Sequence, residues 1–139
     1  MSLKFSPTQN ILASGQITGD LRVYTCSETD TKEQIHLTHH SGSIRALDYN
    51  EDGSILYTAG ADHSFSVVTM QRMEGQLAGA HEEAINAVAH IEDSHIIATG
   101  DDDGVIKIWD LRQAHSGKKS CIITFNEHEG SISGFEYVK

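Results

Sequence analysis

The stretch that decides the fold runs from Ile97 to Arg112 and reads I-A-T-G-D-D-D-G-V-I-K-I-W-D-L-R. A short apolar segment, Ile96, Ile97 and Ala98, enters a turn built from three aspartates and Gly104, and an alternating segment follows from Val105 to Trp109. Period-two alternation on both sides of an Asp/Gly turn predicts a β-hairpin that keeps one face buried. Trp109 and Asp110 close the unit.

The unit repeats. A displacement of 41 residues aligns His40 through Thr69 with His81 through Asp110 without a gap, setting Ile44 on Ile85, Ala46 on Ala87, Thr58 on Thr99 and Asp62 on Asp103. A displacement of 85 brings in the N-terminal part, with Ser14 on Thr99, Gly19 on Gly104 and Tyr24 on Trp109. Four strands are expected per copy. In the second they lie near 43–49, 55–60, 65–69 and 76–78, and in the third near 84–89, 96–99, 105–109 and 121–125. The first copy keeps 3–5 of its inner strand, then 11–14, 21–24 and 34–37, and a fourth opens at Ser131–Tyr137 after His128. The polar segments Ser27–Glu33 and Gln113–Lys119 read as solvated loops.

A period of about 40 residues with a Trp-Asp ending resembles the WD repeat. That resemblance implies an all-β, partial WD-repeat β-propeller: blade 1 at about 3–38, blade 2 at about 39–79, blade 3 at about 80–126 and the start of blade 4 at about 127–139. Such blades bury their faces only against neighbours, and rings close with about four to eight of them. Three blades therefore imply a piece of a longer propeller, seven-bladed by resemblance. They also imply open apolar faces through which copies could associate, with Ser131–Tyr137 of one chain filling the inner-strand place beside Ile11–Ser14 of another.

Twenty acidic against ten basic residues give a formal charge of −10, which disfavours phosphate-driven binding to nucleic acid and favours a basic protein surface. Cys26 and Cys121 form no short-spaced pair, so a reducing compartment is expected. No apolar run approaches a membrane span and the start, Met-Ser-Leu-Lys, carries no apolar signal region. The chain reads as soluble and intracellular.

Blades of the WD-repeat type carry a buried hydrogen-bonded chain of His, Ser/Thr, Asp and Trp. The third copy supplies His81, Thr99, Asp103 and Trp109, and the second His40, Thr58 and Asp62, with Val68 in place of the indole. The first keeps Ser14 but has Thr18 and Tyr24 at the Asp and Trp positions. The residue types suit the role, since a buried carboxylate needs donors and imidazole, hydroxyl and indole provide them. Recurrence at one spacing favours a structural device over a catalytic triad, so no enzyme activity and no cofactor are expected. The cluster His36, His39 and His40 lacks a cysteine or carboxylate at ligand spacing, and Asp101–Asp103 lacks the glutamate of a calcium loop, so no metal is expected either. Asp103 is expected inward, with Asp101 and Asp102 on a solvated rim.

Trp109-Asp110-Leu111-Arg112 also fits the W-D-x-R pattern of receptors that dock on the damaged-DNA-binding adaptor of cullin-four ubiquitin ligases. That resemblance makes Asp110 and Arg112 candidate adaptor contacts, with Arg112 reaching outward. Three segments resemble the WD repeat-containing protein 55 family, which includes the yeast Jip-five proteins: N-I-L-A-S-G-Q-I-T-G-D-L-R-V-Y, E-D-G-S-I-L-Y-T-A-G-A-D, and I-I-A-T-G-D-D-D-G-V-I-K-I-W-D-L-R. The resemblance implies a nucleolar scaffold for ribosomal RNA processing, with pre-ribosome assembly factors as partners, placed in the nucleus and nucleolus with the cytoplasm as a second location.

Overall fold

The computed structural model describes residues 2–69, 73–91, 94–112 and 121–126. Their strands form three four-stranded antiparallel sheets in which order in space follows order in the chain. The first holds β1 (Ser2–Phe5), β2 (Ile11–Gly15), β3 (Leu21–Cys26) and β4 (Thr31–Leu37). The second holds β5 (Ile44–Tyr49), β6 (Ile55–Gly60), β7 (Phe65–Thr69) and β8 (Met73–Leu77), and the third β9 (Ile85–His90), β10 (Ile96–Asp101), β11 (Ile106–Asp110) and β12 (Cys121–Phe125). This is the expected open, partial propeller. Among the described residues no helix is long and apolar enough to cross a membrane.

Alternation explains why the sheets stack face to face. On β6, Leu56 joins Ile11, Ala13, Leu21, Val23 and Val68 in the core between the first two sheets. Its neighbours Tyr57 and Ala59 point the other way, joining Phe65, Ile85, Ile97 and Trp109 between the second and third. Leu21, Ile44, Ile85 and Ile97 are at most 1 % exposed, and full burial of such a side chain contributes about 1.5–3 kcal/mol. The leading strands lie side by side, β1 against β5 and β5 against β9. The Asp48 carboxylate spans all three, accepting the His90 backbone N–H at 2.9 Å and facing Lys4 Nζ at 3.7 Å.

The turn after each second strand needs one residue in left-handed conformation. Gly19 (φ 91°), His63 (φ 65°) and Gly104 (φ 84°) occupy it. Gly19 has a further constraint, because a Cβ there would stand 2.3 Å from the His40 carbonyl oxygen of the adjacent blade.

Three expectations change. The segment expected as a loop at Ser27–Glu33 is shorter: Ser27 and Asp30 close a tight turn by N–H to carbonyl at 2.8 Å, and β4 already begins at Thr31. The outer strand of the second sheet spans Met73–Leu77 rather than 76–78. The place beside Ile11–Ser14 is not empty, because β1 pairs along it from Ser2↔Gly15 to Phe5↔Leu12, so an exchanged strand from another copy would find that ladder taken. Gln113–Lys119 and the fourth copy at Ser131–Tyr137 lie outside the described residues.

Candidate functional site: two buried histidine networks and an exposed arginine

In the third sheet the polar chain runs through Trp109, Thr99, His81 and an aspartate, all on the side of the sheet that meets the second blade. Thr99 and Trp109 come from β10 and β11, and His81 from the segment before β9. Trp109 Nε1 donates to Thr99 Oγ1 at 2.8 Å, and Thr99 Oγ1 lies 2.6 Å from His81 Nε2. His81 Nδ1 lies 2.8 Å from Asp101 Oδ2. The carboxylate can only accept, so Nδ1 carries the proton and Nε2 accepts from the Thr99 hydroxyl. Burial lowers the His81 pKa, ahead of the opposing hydrogen bond and charge of Asp101, which keeps the ring neutral and the direction of donation fixed. Lys107 closes the site from above, with Nζ 5.8 Å from the Trp109 ring centroid and donating to the Ala80 carbonyl at 2.8 Å.

The acid is Asp101, not Asp103. Asp101 is 2 % exposed, whereas Asp103 is exposed. β10 extends to Asp101, which stands two residues beyond Thr99 on the same face of the strand and so turns its side chain inward, where Oδ1 also accepts the Asp103 and Val105 N–H groups at 2.9 Å each. Asp103 contributes its backbone to the turn rather than its carboxylate to the network.

In the second sheet His40, Thr58 and Asp62 come together. His40 Nδ1 is 3.0 Å from both Asp62 oxygens and His40 Nε2 is 2.7 Å from Thr58 Oγ1. Burial raises the Asp62 pKa, but hydrogen bonds from His40 and Ser64 outweigh it and the net shift is downward. The chain does not stop at Thr58. The Thr58 hydroxyl bonds to that of Ser66, and Ser66 Oγ lies 2.7 Å from His39 Nε2. The His39 imidazole thus occupies the donor's place that the Trp109 indole holds in the third blade, through Ser66 as relay. Burial first and the neighbouring His40 second press its pKa down to about 4, and its buried Nδ1 has no hydrogen-bond partner among the described residues. Sequence reasoning missed both residues. The signal for His39 was its position beside His40 in a copy that has Val68 where the third has its tryptophan.

His36 stands apart from this pair, on β4 with Nε2 3.7 Å from Asp20. In the first copy Ser14 is buried, Thr18 is exposed and Tyr24 is half-buried. Cys26 and Cys121 are free and half-buried on β3 and β12. Among the described residues no three His, Cys, Asp or Glu side chains gather to hold a metal ion.

Arg112 and Asp110 were both expected as candidate adaptor contacts, with Arg112 reaching outward, and the structure divides them. The Arg112 side chain is 66 % exposed and that of Asp110 9 %. Arg112 Nε and Nη2 reach Asp110 Oδ1 and Oδ2 at 3.0 and 2.8 Å, and the Arg112 N–H adds a third bond at 3.0 Å. The fork-to-fork pairing lowers the Asp110 pKa and raises that of Arg112. Asp110 is therefore the residue that positions Arg112, not a surface contact.

The WD domain, G-beta repeat model matches residues 31–67 and 75–110, which together make up more than half of the chain. The chain belongs to the WD-repeat family. It is similar to WD repeat-containing protein 55 of Danio rerio, 35 % identical over 95 % of this chain and 34 % of that protein, and to the Arabidopsis thaliana protein of the same name, 35 % identical over 97 % and 37 %. The human protein of that name is 34 % identical over 94 % of this chain. The chain spans about a third of the length of these curated relatives. The crystal structure of Chaetomium thermophilum Sqt1 superposes with a TM-score of 0.81 at 19 % identity, covering 94 % of this chain and 37 % of that one, which shows the fold. The networks described above are thus blade-locking elements of a WD-repeat interaction module.

Proposed function

We propose that this WD-repeat chain serves as a non-enzymatic scaffold for pre-ribosome assembly factors, acting in ribosomal RNA processing within the nucleus and nucleolus. The observation that carries the reading is the likeness to WD repeat-containing protein 55, which runs at about 35 % identity along 95 % of the chain instead of being confined to the repeat signature. The disposition of the polar groups supports a non-enzymatic role. His40, Thr58, His81 and Thr99 are at most 3 % exposed and hydrogen-bonded to one another, so no substrate atom can approach them. The formal charge of −10 favours protein partners with basic surfaces over direct RNA contact. Depletion of the full-length protein, followed by measurement of ribosomal RNA precursors, tests the reading: precursors should accumulate, and an unchanged precursor pattern refutes it.

A second reading, docking on the cullin-four ligase adaptor as a substrate receptor, is favoured by the exposed Arg112 held in a fixed orientation by Asp110. Adaptor recovery in a pull-down should fall with Arg112→Ala, and undiminished recovery removes that reading.

A further inference from the structure

Pro7 is the chain's only proline, which makes Ser6-Pro7 its only Ser-Pro or Thr-Pro step. The step lies in the turn that joins β1 to β2, where Pro7, Thr8, Gln9 and Asn10 are exposed and Ser6 is half-buried. This turn is docked on the second blade. Thr8 Oγ1 donates to the Asp52 carbonyl at 2.7 Å, and Ser6 Oγ packs so closely on Gly53 that a Cβ added there would stand 2.4 Å from it. Within the turn, Ser6 Oγ accepts the Thr8 and Gln9 N–H groups at 3.3 Å each. The hydroxyl is enclosed by its own turn on one side and by the second blade on the other.

The docked turn is lightly held. β1 lies at the edge of its sheet, and it is linked to β5 across the seam by the Ser2 hydroxyl on the Ile44 carbonyl at 3.3 Å and by Lys4 facing Asp48 at 3.7 Å. Segments with few buried contacts and exposed hydrogen bonds open locally at low cost. Opening presents Ser6 in the extended conformation that a residue before proline prefers, with its hydroxyl free.

We propose that Ser6 is a phosphorylation site for a proline-directed protein kinase, and that the phosphate holds the β1–β2 turn off the second blade. In the transfer, Ser6 Oγ bonds to the γ-phosphorus of ATP and the bond from that phosphorus to the β,γ-bridging oxygen breaks. ADP leaves, and the hydroxyl proton passes to the kinase's catalytic base. The phosphoserine carries a charge of about −1.5 to −2 at neutral pH. Gly53 leaves no room for the group in the docked turn. The Asp52 carboxylate, set in place by the Ser54 N–H at 2.9 Å and the Ser54 hydroxyl at 2.6 Å, repels it. Lys4, the cation two residues away, belongs to the first blade, so pairing with the phosphate withdraws it from Asp48 instead of restoring the contact. Phosphorylation therefore loosens the seam between the first and second blades, whatever partners the module holds.

The test is incubation of the native chain with a purified mitogen-activated protein kinase and ATP, the modified residue being located by peptide mass spectrometry. A single phosphoryl group should be taken up, on Ser6. Ser6→Ala and Pro7→Ala should each abolish the uptake, the second while leaving the hydroxyl in place. In the phosphorylated chain the backbone N–H groups of the β1–β2 ladder should exchange with solvent about tenfold faster or more than in the unmodified chain, while those of the β9–β10 ladder keep their rates. No transfer to the native chain, transfer to another residue in place of Ser6, or transfer that survives Ser6→Ala or Pro7→Ala overturns the proposal. Unaltered exchange along β1–β2 once Ser6 is phosphorylated, or equal acceleration in the third blade, overturns it as well.

Discussion

Replacing Asp101 by asparagine changes almost no volume but removes an acceptor from the third blade's network. The carboxylate serves His81 Nδ1–H at 2.8 Å with one oxygen and the N–H groups of Asp103 and Val105 at 2.9 Å with the other. An asparagine oxygen can keep the two backbone bonds, but its amide then turns N–H toward an imidazole N–H. Either two buried donors oppose each other or the imidazole changes tautomer. The second outcome takes away the acceptor that the Thr99 hydroxyl uses at 2.6 Å, and Thr99 is the partner of the Trp109 indole. Loss of a hydrogen bond to a charged group costs about 1.5–3 kcal/mol and an unsatisfied buried donor about 1–3 more, so Asp101→Asn should destabilise by about 4 kcal/mol. Asp103→Asn, on an exposed side chain whose backbone N–H is unaffected, should stay within about 0.5 kcal/mol. Urea unfolding followed by Trp109 fluorescence measures both, since the chain has one tryptophan; for a chain of this size 4 kcal/mol corresponds to a melting shift of about 8–16 °C. An Asp103→Asn variant as unstable as Asp101→Asn would refute the assignment.

Three further outcomes are expected. The folded His39 pKa is about 4 against about 6.5 unfolded, so the unfolded chain takes up that proton first. The His39 contribution to stability should be complete above pH 6.5 and lost between about 6.5 and 4. His39→Gln should flatten that arm of the urea-midpoint profile in part, His81 shifting in the same direction, and an unaltered arm contradicts it. Gly19→Ala combines a φ of 91° with a Cβ only 2.3 Å from a backbone carbonyl oxygen, so it should cost about 2 kcal/mol or more in the same assay. Tyr49→Phe removes a buried, unpartnered hydroxyl whose pKa burial pushes up to about 12; stability should hold or rise by about 1 kcal/mol, and a loss of more than that would show a partner for the hydroxyl.

The strands were legible because alternation of apolar residues repeats at a fixed spacing, and the sheets follow from it. The acid of the third network was not, because Asp101, Asp102 and Asp103 are adjacent and chemically identical. Gapless alignment pairs Asp62 with Asp103, but the side chain that reaches His81 stands two residues earlier. The reason is visible at the matching position of the second blade, Gly60, where a Cβ would lie 2.3 Å from the Ser43 carbonyl oxygen. No aspartate fits there, so the second blade delivers its carboxylate from Asp62 instead. Spacing fixes the backbone turn, while local steric room decides which turn residue points inward. Ser66 escaped for a related reason, since its partner His39 belongs to no repeated position.

The exchange of Trp109 for His39 gives the two blade seams different chemistry. The third blade's chain begins at an indole N–H, which does not titrate, and that ring also packs on Phe65 of the second blade at 5.0 Å between centroids. Its donor and its apolar contact are one group. The second blade separates these jobs, with Val68 filling the apolar position and His39 donating through Ser66. Protonation of His39 would place an N–H on Nδ1, the buried atom that has no partner among the described residues, and no rotation of a hydroxyl already engaged elsewhere can accept it. The ring is therefore held neutral, and the chain at the seam between the first and second blades begins at a titratable donor, whereas the chain at the next seam begins at an indole and has His81 as its inner histidine. In a fold where each blade is stabilised only by its neighbours, that difference adds His39 to the groups whose protonation loosens the first seam.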